Sequence, residues 1–207
     1  MLWQLLLGFL LAAVIGGLAL RLGALAPSGV LGATLIGGLT YGLGGPLWAI
    51  MLIAFFVSSS ALSFWHRERK APAVTHMAKG SRRDLGQTLA NGGVAALCAG
   101  LAGMVTSDSR WYPIGLLGFL GALSAATADT WATELGVLAT RPPRLITTGQ
   151  PVPPGTSGAV SALGFAAALA GGAFIGLVAL LLFSLVPTGL ADLRPWLWLF
   201  SSLCAVA

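Results

Sequence analysis

Tyr112-Pro-Ile-Gly-Leu-Leu-Gly-Phe-Leu-Gly-Ala-Leu-Ser-Ala-Ala-Thr-Ala-Asp-Thr-Trp-Ala-Thr-Glu134 is the stretch that decides the fold of this chain. It is long and apolar enough to cross a hydrocarbon core of about 30 Å as a helix. It nevertheless ends in two of the chain's six acidic residues, Asp129 and Glu134. A carboxylate beside hydrocarbon is costly unless something compensates it, so an acid at such a depth marks a functional site. Counting from Pro113 at the helix start, Asp129 lies about 24 Å along the helix axis. That puts it just inside one membrane boundary and Glu134 at or beyond it.

The rest of the chain has the same character. Its 207 residues are 57% hydrophobic and 8% charged, with a mean hydropathy of +0.89, where a soluble domain would carry about a quarter charged residues. Further apolar runs lie at 2–20, 46–65, 86–105, 158–186 and 195–207, and a shorter glycine-rich run at 28–43. The pattern predicts an all-α, polytopic bundle of six to seven transmembrane helices, with residues 1–207 forming a single transmembrane domain. Pro27 opens the 28–43 run and Gly44-Gly45-Pro46 closes it. Its span of about 24 Å suits a short or broken helix, or a tilted ordinary one. Small residues every fourth position (Gly38/Gly42, Gly118/Ala122, Ala168/Gly172/Gly176) predict close helix packing in lipid.

Charge placement sets the orientation. Arg67, Arg69, Lys70, Lys79, Arg82 and Arg83 share the loop 66–84, and counting helices outward puts Arg21, Arg141 and Arg144 on the same side. Nine of the eleven basic residues therefore face one compartment, the cytoplasm, and only Arg110 and Arg194 face the other. With seven spans the N-terminus is outside. The first apolar run has its basic residue, Arg21, after it rather than before, which fits a retained helix better than a cleaved leader. The net charge of +5 thus reflects topology and not a nucleic-acid surface. Trp3, Trp48, Trp111, Trp196 and Trp198 fall near outer ends, and Trp65 and Trp131 near inner ends, as an interfacial aromatic belt does. Cys98 and Cys204 read as packing thiols and His66 and His76 as solvated loop residues, none with a metal-binding pattern.

The chemistry converges on the inner side. Helical geometry puts Asp129 and Thr133 on one face and Thr130 and Glu134 on the next. Five residues apart, the acids frame one site only with a metal-bound phosphate between them or help from another helix. Asp84 and Gln87 have capping-box spacing. Gln87 and Asn91 share a face of the next helix, with Asn91 about 10 Å inside it, either bonding another helix or reaching a ligand. Arg82 and Arg83 suit phosphates or set topology. Ser58, Ser59 and Ser60 lie in the cytoplasmic half of the third helix and are candidates for the cavity wall. Pro153-Pro-Gly155 ends any preceding structure, so Thr156 or Ser157 is expected to cap the helix that follows, opening an anion site beside Gly155 and Gly158. Two acids can hold Mg²⁺, which takes one or two carboxylates together with substrate phosphates. The set describes phosphoryl transfer between a soluble nucleotide and a lipid head group, a reaction governed by positioning and charge neutralisation.

Four motifs in order then carry a family resemblance: Phe55-Phe-Val-Ser-Ser-Ser60; Arg83 with Gln87-Thr-Leu-Ala-Asn-Gly92; Ala128-Asp-Thr-Trp-Ala-Thr-Glu-Leu-Gly136; and Pro143-Arg-Leu-Ile-Thr-Thr148 through Val152-Pro-Pro-Gly-Thr-Ser-Gly158. Over roughly residues 28–175 the chain resembles the integral membrane family containing transmembrane protein 19 and the phytyl-phosphate kinase of tocopherol synthesis. The resemblance implies a CTP- and Mg²⁺-dependent kinase that converts a prenyl phosphate to its diphosphate. Asp129 and Glu134 would hold the metal and Asn91 would join them. Arg82, Arg83, Gln87, Thr130, Thr133, Arg144, Thr147, Thr148, Gly155, Thr156, Ser157 and Gly158 would serve nucleotide and phosphate. Ala128 stands where the family often has glycine. Family members usually continue into a further glycine-rich helical segment with an acidic residue, beyond the position where this chain stops at Ala207. Two other functions fit the same features: cytidylyl transfer to a lipid phosphate, and a transporter or flippase with Asp129 as its ion site.

Overall fold

The structure is a computed structural model that describes residues 1–65, 82–107 and 109–185. The basic residues of the 66–81 loop, both histidines, and the 195–207 run with Trp196, Trp198 and Cys204 lie outside the described residues.

Among the described residues, five helices are long and apolar enough to cross a membrane: α1 (Leu2–Arg21), α3 (Pro46–Phe64), α4 (Leu85–Gly103), α5 (Trp111–Gly136) and α6 (Ala162–Ser184). Between α1 and α3 lies α2 (Pro27–Leu39), which passes into a π-helical turn over Thr40–Gly44. The 28–43 run is thus a short α-helix that continues directly into a π turn. Pro27 supplies its first residue, where a missing N–H costs nothing. Gly45, at φ +92°, turns the chain into Pro46 of α3. Helix α5 starts two residues earlier than expected, so Pro113 is its third residue and not its first. The only strands among the described residues are the two-residue pair β1 (Arg144–Leu145) and β2 (Ala159–Val160), which run antiparallel.

Helix α5 is the centre of the bundle and packs along both α4 and α6. In hydrocarbon there is little hydrophobic gain from helix association, so contact depends on small residues that let backbones approach. Gly171 of α6 sits against the Thr127 carbonyl and the Ala128 backbone, and Gly115 of α5 against Ala102 and the Cys98 carbonyl. The main core lies among α3, α4, α5 and α6. There Trp48 packs on Phe119 with ring centroids 4.7 Å apart, and Leu116, Leu120, Leu123, Ile175 and Phe183 fill the remaining space. Helices α1 and α2 pack on each other, and α2 also packs on α4. Helix α3 meets this pair through the π turn rather than along its length.

This connectivity brings the C-terminal ends of α1, α3 and α5 together with the N-terminal ends of α2, α4 and α6. Arg21, Arg82, Arg83, Asp84, Glu134, Arg141 and Arg144 all share that end. Among the described residues, Arg110 is the one charged side chain at the opposite end.

Candidate functional site

Helix α4 starts with the expected capping box: the Asp84 carboxylate accepts from Gln87 N–H at 2.8 Å, and the Gln87 amide oxygen accepts from Asp84 N–H at 3.0 Å. Just before it, the chain pairs with the α1–α2 connection. Arg83 N–H donates to the Ala24 carbonyl at 3.1 Å, and Ala26 N–H to the Arg83 carbonyl at 2.9 Å. Two backbone bonds and a helix cap therefore fix the position of Arg83.

From this anchor the Arg83 side chain reaches into the bundle. Its guanidinium donates to Ser60 Oγ at 3.0 Å and lies 5.6 Å from the Phe56 ring centroid. Burial lowers the Arg83 pKa, and the negative charge of Glu134 works against that by favouring the cation. An arginine stays charged under these conditions. Glu134, half-buried near the end of α5, accepts a 2.5 Å hydrogen bond from the Ser63 hydroxyl, which has the Ser59 carbonyl at 3.1 Å as its alternative acceptor. Ser60, Ser63, Arg83 and Glu134 thus form one polar cluster built from α3, α5 and the entry to α4. Ser59 beside them is fully buried, and its hydroxyl has no partner among the described residues.

Sequence reasoning named Arg83, Ser60 and Glu134 but passed over Ser63. The signal was available: Ser63 follows Ser59 by four residues, on the same helix face. Thr88 was also missed. It stands four after Asp84, donates to the Asp84 carbonyl at 2.7 Å, and joins Arg83 and Asn91 on the wall of a cavity. Asn91 therefore faces open space rather than another helix's backbone.

Asp129 is oriented differently from Glu134. Five residues of α-helix rotate by roughly 140°, and Asp129 occupies the exposed face with Ala125 and Thr133. It makes no hydrogen bond or ion pair among the described residues, whereas Glu134 is engaged by Ser63 and faces Arg83. No three of His, Cys, Asp and Glu converge among the described residues. A divalent ion here would have to be completed by substrate phosphate and water, which is the habit of Mg²⁺. An unengaged carboxylate at the membrane boundary fits that role. Thr130, on the adjacent face, spends its hydroxyl on the Ala126 carbonyl at 2.8 Å.

The 144–158 segment is folded rather than open. Arg144 pairs with Val160 across β1 and β2, and its guanidinium donates to the Gly149 carbonyl at 2.7 Å. Thr147 and Thr148 sit exposed at the tip, closed by Gly149 at φ +68°, a conformation that favours glycine. The expected cap is corrected here. Helix α6 starts at Ala162 with Ser161 as its cap, whose Oγ accepts from Gly164 N–H at 3.1 Å. Thr156 instead donates to the Pro153 carbonyl at 2.7 Å, and Ser157 and Gly158 form the turn into β2. The Gly155–Gly158 stretch is a surface turn because pairing with residues 144–145 takes up the backbone that would otherwise begin the helix. Ser161 Oγ also reaches the Gly136 carbonyl at 3.4 Å, tying this loop to the end of α5 that carries Glu134.

Arg83 carries the polar cluster to one end of a cavity of about 230 Å³, bounded by α1, α2, α3 and α4. Arg83, Thr88 and Asn91 supply polarity at that end, and the remaining wall is almost wholly apolar, from Leu25 and Phe56 near Arg83 to Gly8 and Ala49 at the far end.

Fold and site together define a polytopic helical membrane protein with a polar cluster at the end of an apolar cavity between its helices. The chain belongs to the family described as integral membrane protein DUF92, whose sequence profile matches residues 10–207. This is the family that the order of the motifs pointed to, that of transmembrane protein 19 and phytyl-phosphate kinase. Among curated relatives, the chain is 36% identical to Protein PGR of Arabidopsis thaliana over 65% of this chain and 50% of that protein. It is 35% identical to membrane protein MJ0933 of Methanocaldococcus jannaschii over 75% of this chain and 61% of that one. It is 28% identical to the chloroplastic Protein VTE6 of Arabidopsis thaliana over 83% of this chain and 51% of that one. The chain thus spans about half to three-fifths of the length of these relatives. No solved structure matches it.

Proposed function

We propose that this protein is a CTP-dependent kinase that phosphorylates a prenyl monophosphate, of the phytyl-phosphate type, to the diphosphate at the cytoplasmic membrane interface. The observation that carries this reading is Arg83: a guanidinium held by Ser60 and facing Glu134, at the polar end of a cavity otherwise lined by hydrocarbon. A cation joined to an apolar slot is what an anionic lipid needs. Membership of the family and similarity to VTE6 support the same substrate class.

In this reading a terminal oxygen of the prenyl monophosphate attacks the γ-phosphorus of CTP. A new P–O bond forms, the β–γ bridging bond breaks, and CDP leaves. Arg83, with Arg82 beside it, binds the acceptor phosphate, and Ser60 and Glu134 hold the Arg83 guanidinium in place. Asn91 and Thr88 orient the lipid head, with Gln87 on the same face of α4; the α3 side of the cavity near the head is Phe55 and Phe56, and Ser58, Ser59 and Ser60, expected on the wall, do not line it. The 144–158 loop, through Arg144, Thr147, Thr148 and the Gly155–Thr156–Ser157–Gly158 turn, serves the nucleotide together with Thr130 and Thr133. Asp129 would hold Mg²⁺ with substrate phosphate and water completing its shell, and the ion would supply charge neutralisation on the phosphates; Glu134, expected as the second acid, is engaged by Ser63 and faces Arg83 instead.

The test is an assay of purified protein with γ-labelled CTP and prenyl monophosphates. Release of CDP with labelled prenyl diphosphate supports the kinase; release of pyrophosphate points to cytidylyl transfer instead. Asp129→Asn is expected to abolish turnover while the thermal unfolding profile stays unchanged. Undiminished turnover in that variant removes the metal role of Asp129.

A further inference from the structure

The cavity is open on one side. Leu11 and Ile15 of α1 and Ile50 and Ile53 of α3 all line it, yet each is 37–45% exposed. Residues that face both the interior and the outside mark the rim of a lateral opening, and they fall where α1 and α3 do not pack together. The opening gives onto the depth of the bilayer rather than onto water, because the residues on its rim are aliphatic. Seen along α3, Ser60 is at the polar end, and Ala49, eleven residues earlier, is about 16 Å further down. The far end is closed by the π turn around Tyr41 and by Gly8, where an added Cβ would come within 2.9 Å of the Gly38 carbonyl.

We propose that this cavity is the receptacle for the hydrocarbon tail of a single-chain isoprenoid phosphate. The lipid enters sideways between α1 and α3, and the Ala49 end limits the chain length accepted. The assignment of an isoprenoid rests on the kinase reading above; the rest stands on the cavity itself. A slot of about 230 Å³ between helices takes one chain and not the pair of a diacyl lipid. Arg83, the one charged wall residue among the described residues, is a cation at one end, so the occupant is an amphiphile with an anionic head. A tail that slides in from the side keeps its head at the boundary throughout, so no charge has to cross hydrocarbon.

The experiment uses the full chain in lipid nanodiscs without nucleotide and a farnesyl monophosphate probe bearing a diazirine near its tail. Cross-links are expected at the Leu11, Ile15, Ile50 and Ile53 positions. Geranylgeranyl monophosphate should compete for them, and phosphatidate should not. Ala49→Phe is expected to weaken competition by geranylgeranyl monophosphate on the order of tenfold while sparing geranyl monophosphate, in keeping with the loss from a blocked apolar subsite. Ile53→Trp, at a more open position, should weaken both. Cross-links on the outer faces of α5 or α6 would overturn the proposal, as would phosphatidate competing equally or a chain-length profile unmoved by both substitutions. Cross-linking and the chain-length shift in a protein without CTP turnover would leave the receptacle standing and remove the kinase. CTP turnover whose chain-length preference ignores both substitutions would do the reverse.

Discussion

Arg83 is the residue on which the chemistry turns, and its environment explains how a cation is kept at the edge of hydrocarbon. The backbone is fixed by Ala24 and Ala26, the side chain by Ser60, and the field by Glu134. Loss of the Ser60 hydroxyl removes one hydrogen bond to a charged group, an interaction of about 1.5–3 kcal/mol. The guanidinium should then sample more positions, and its grip on an acceptor phosphate should weaken. Ser60→Ala is therefore expected to raise the Kd for prenyl monophosphate roughly tenfold, a change of about 1.4 kcal/mol, with fold and CTP binding intact. Equilibrium dialysis with labelled prenyl monophosphate checks this, and an unchanged Kd would mean that Ser60 does not hold Arg83 for ligand binding. Glu134 illustrates how far a residue's role was legible. Its place at or beyond the membrane boundary was legible in the sequence, and so was its separation from the face of Asp129, because helical phase is local. That Ser63, 71 positions away, donates to it was not, since helix-to-helix neighbours are fixed only by packing.

At the scale of elements, the devices that hold the site are a cap, a close approach and a folded loop. The capping box at Asp84 was readable because it needs only two residues three apart. The start of α6 was misread for the opposite reason: the pairing of Arg144 with Val160 and Leu145 with Ala159 spans a loop, and no local pattern announces it. The working cap, Ser161, is worth about 1 kcal/mol by the usual cost of removing a serine cap. Ser161→Ala should lower stability by that amount, seen as a shift of the denaturation midpoint, and should loosen the loop from Gly136. The close approach is at Gly29 of α2, where an added Cβ would stand 2.1 Å from the Arg83 carbonyl oxygen. Backbone cannot yield there without breaking the bonds to Ala24 and Ala26. Gly29→Ala is expected to cost about 1–3 kcal/mol, the range for overpacking, and to lower prenyl-phosphate affinity with it. A variant of full stability and full affinity would show that this contact is dispensable to the position of Arg83.

For the whole molecule the organising fact is sidedness. Six helix ends meet where Arg21, Arg82, Arg83, Arg141 and Arg144 gather, and Arg110 alone among the described charged residues is at the other end. The bundle itself was legible from hydropathy because each span is a local property. The two ends of the α2 run were signalled by Pro27 and by Gly44-Gly45-Pro46, and its π turn was not. Which helices leave a gap was not legible, since the hollow between α1 and α3 exists only after α5 has gathered α3, α4 and α6 around itself. Basic residues flanking spans are retained in the cytoplasm during insertion, so the cluster around Arg83 is expected to face that compartment, where CTP is found. Single cysteines test this directly. With Cys98 and Cys204 replaced by alanine, Thr140→Cys reports on the basic end, just after α5, and Thr106→Cys on the opposite end, between α4 and α5; both positions are exposed. A membrane-impermeant maleimide should label Thr140→Cys in inside-out vesicles and Thr106→Cys in right-side-out ones. The reverse pattern would put Arg83 and Glu134 on the side without cytosolic nucleotide, and a kinase drawing on CTP could not work from there, however well the cavity fits its lipid.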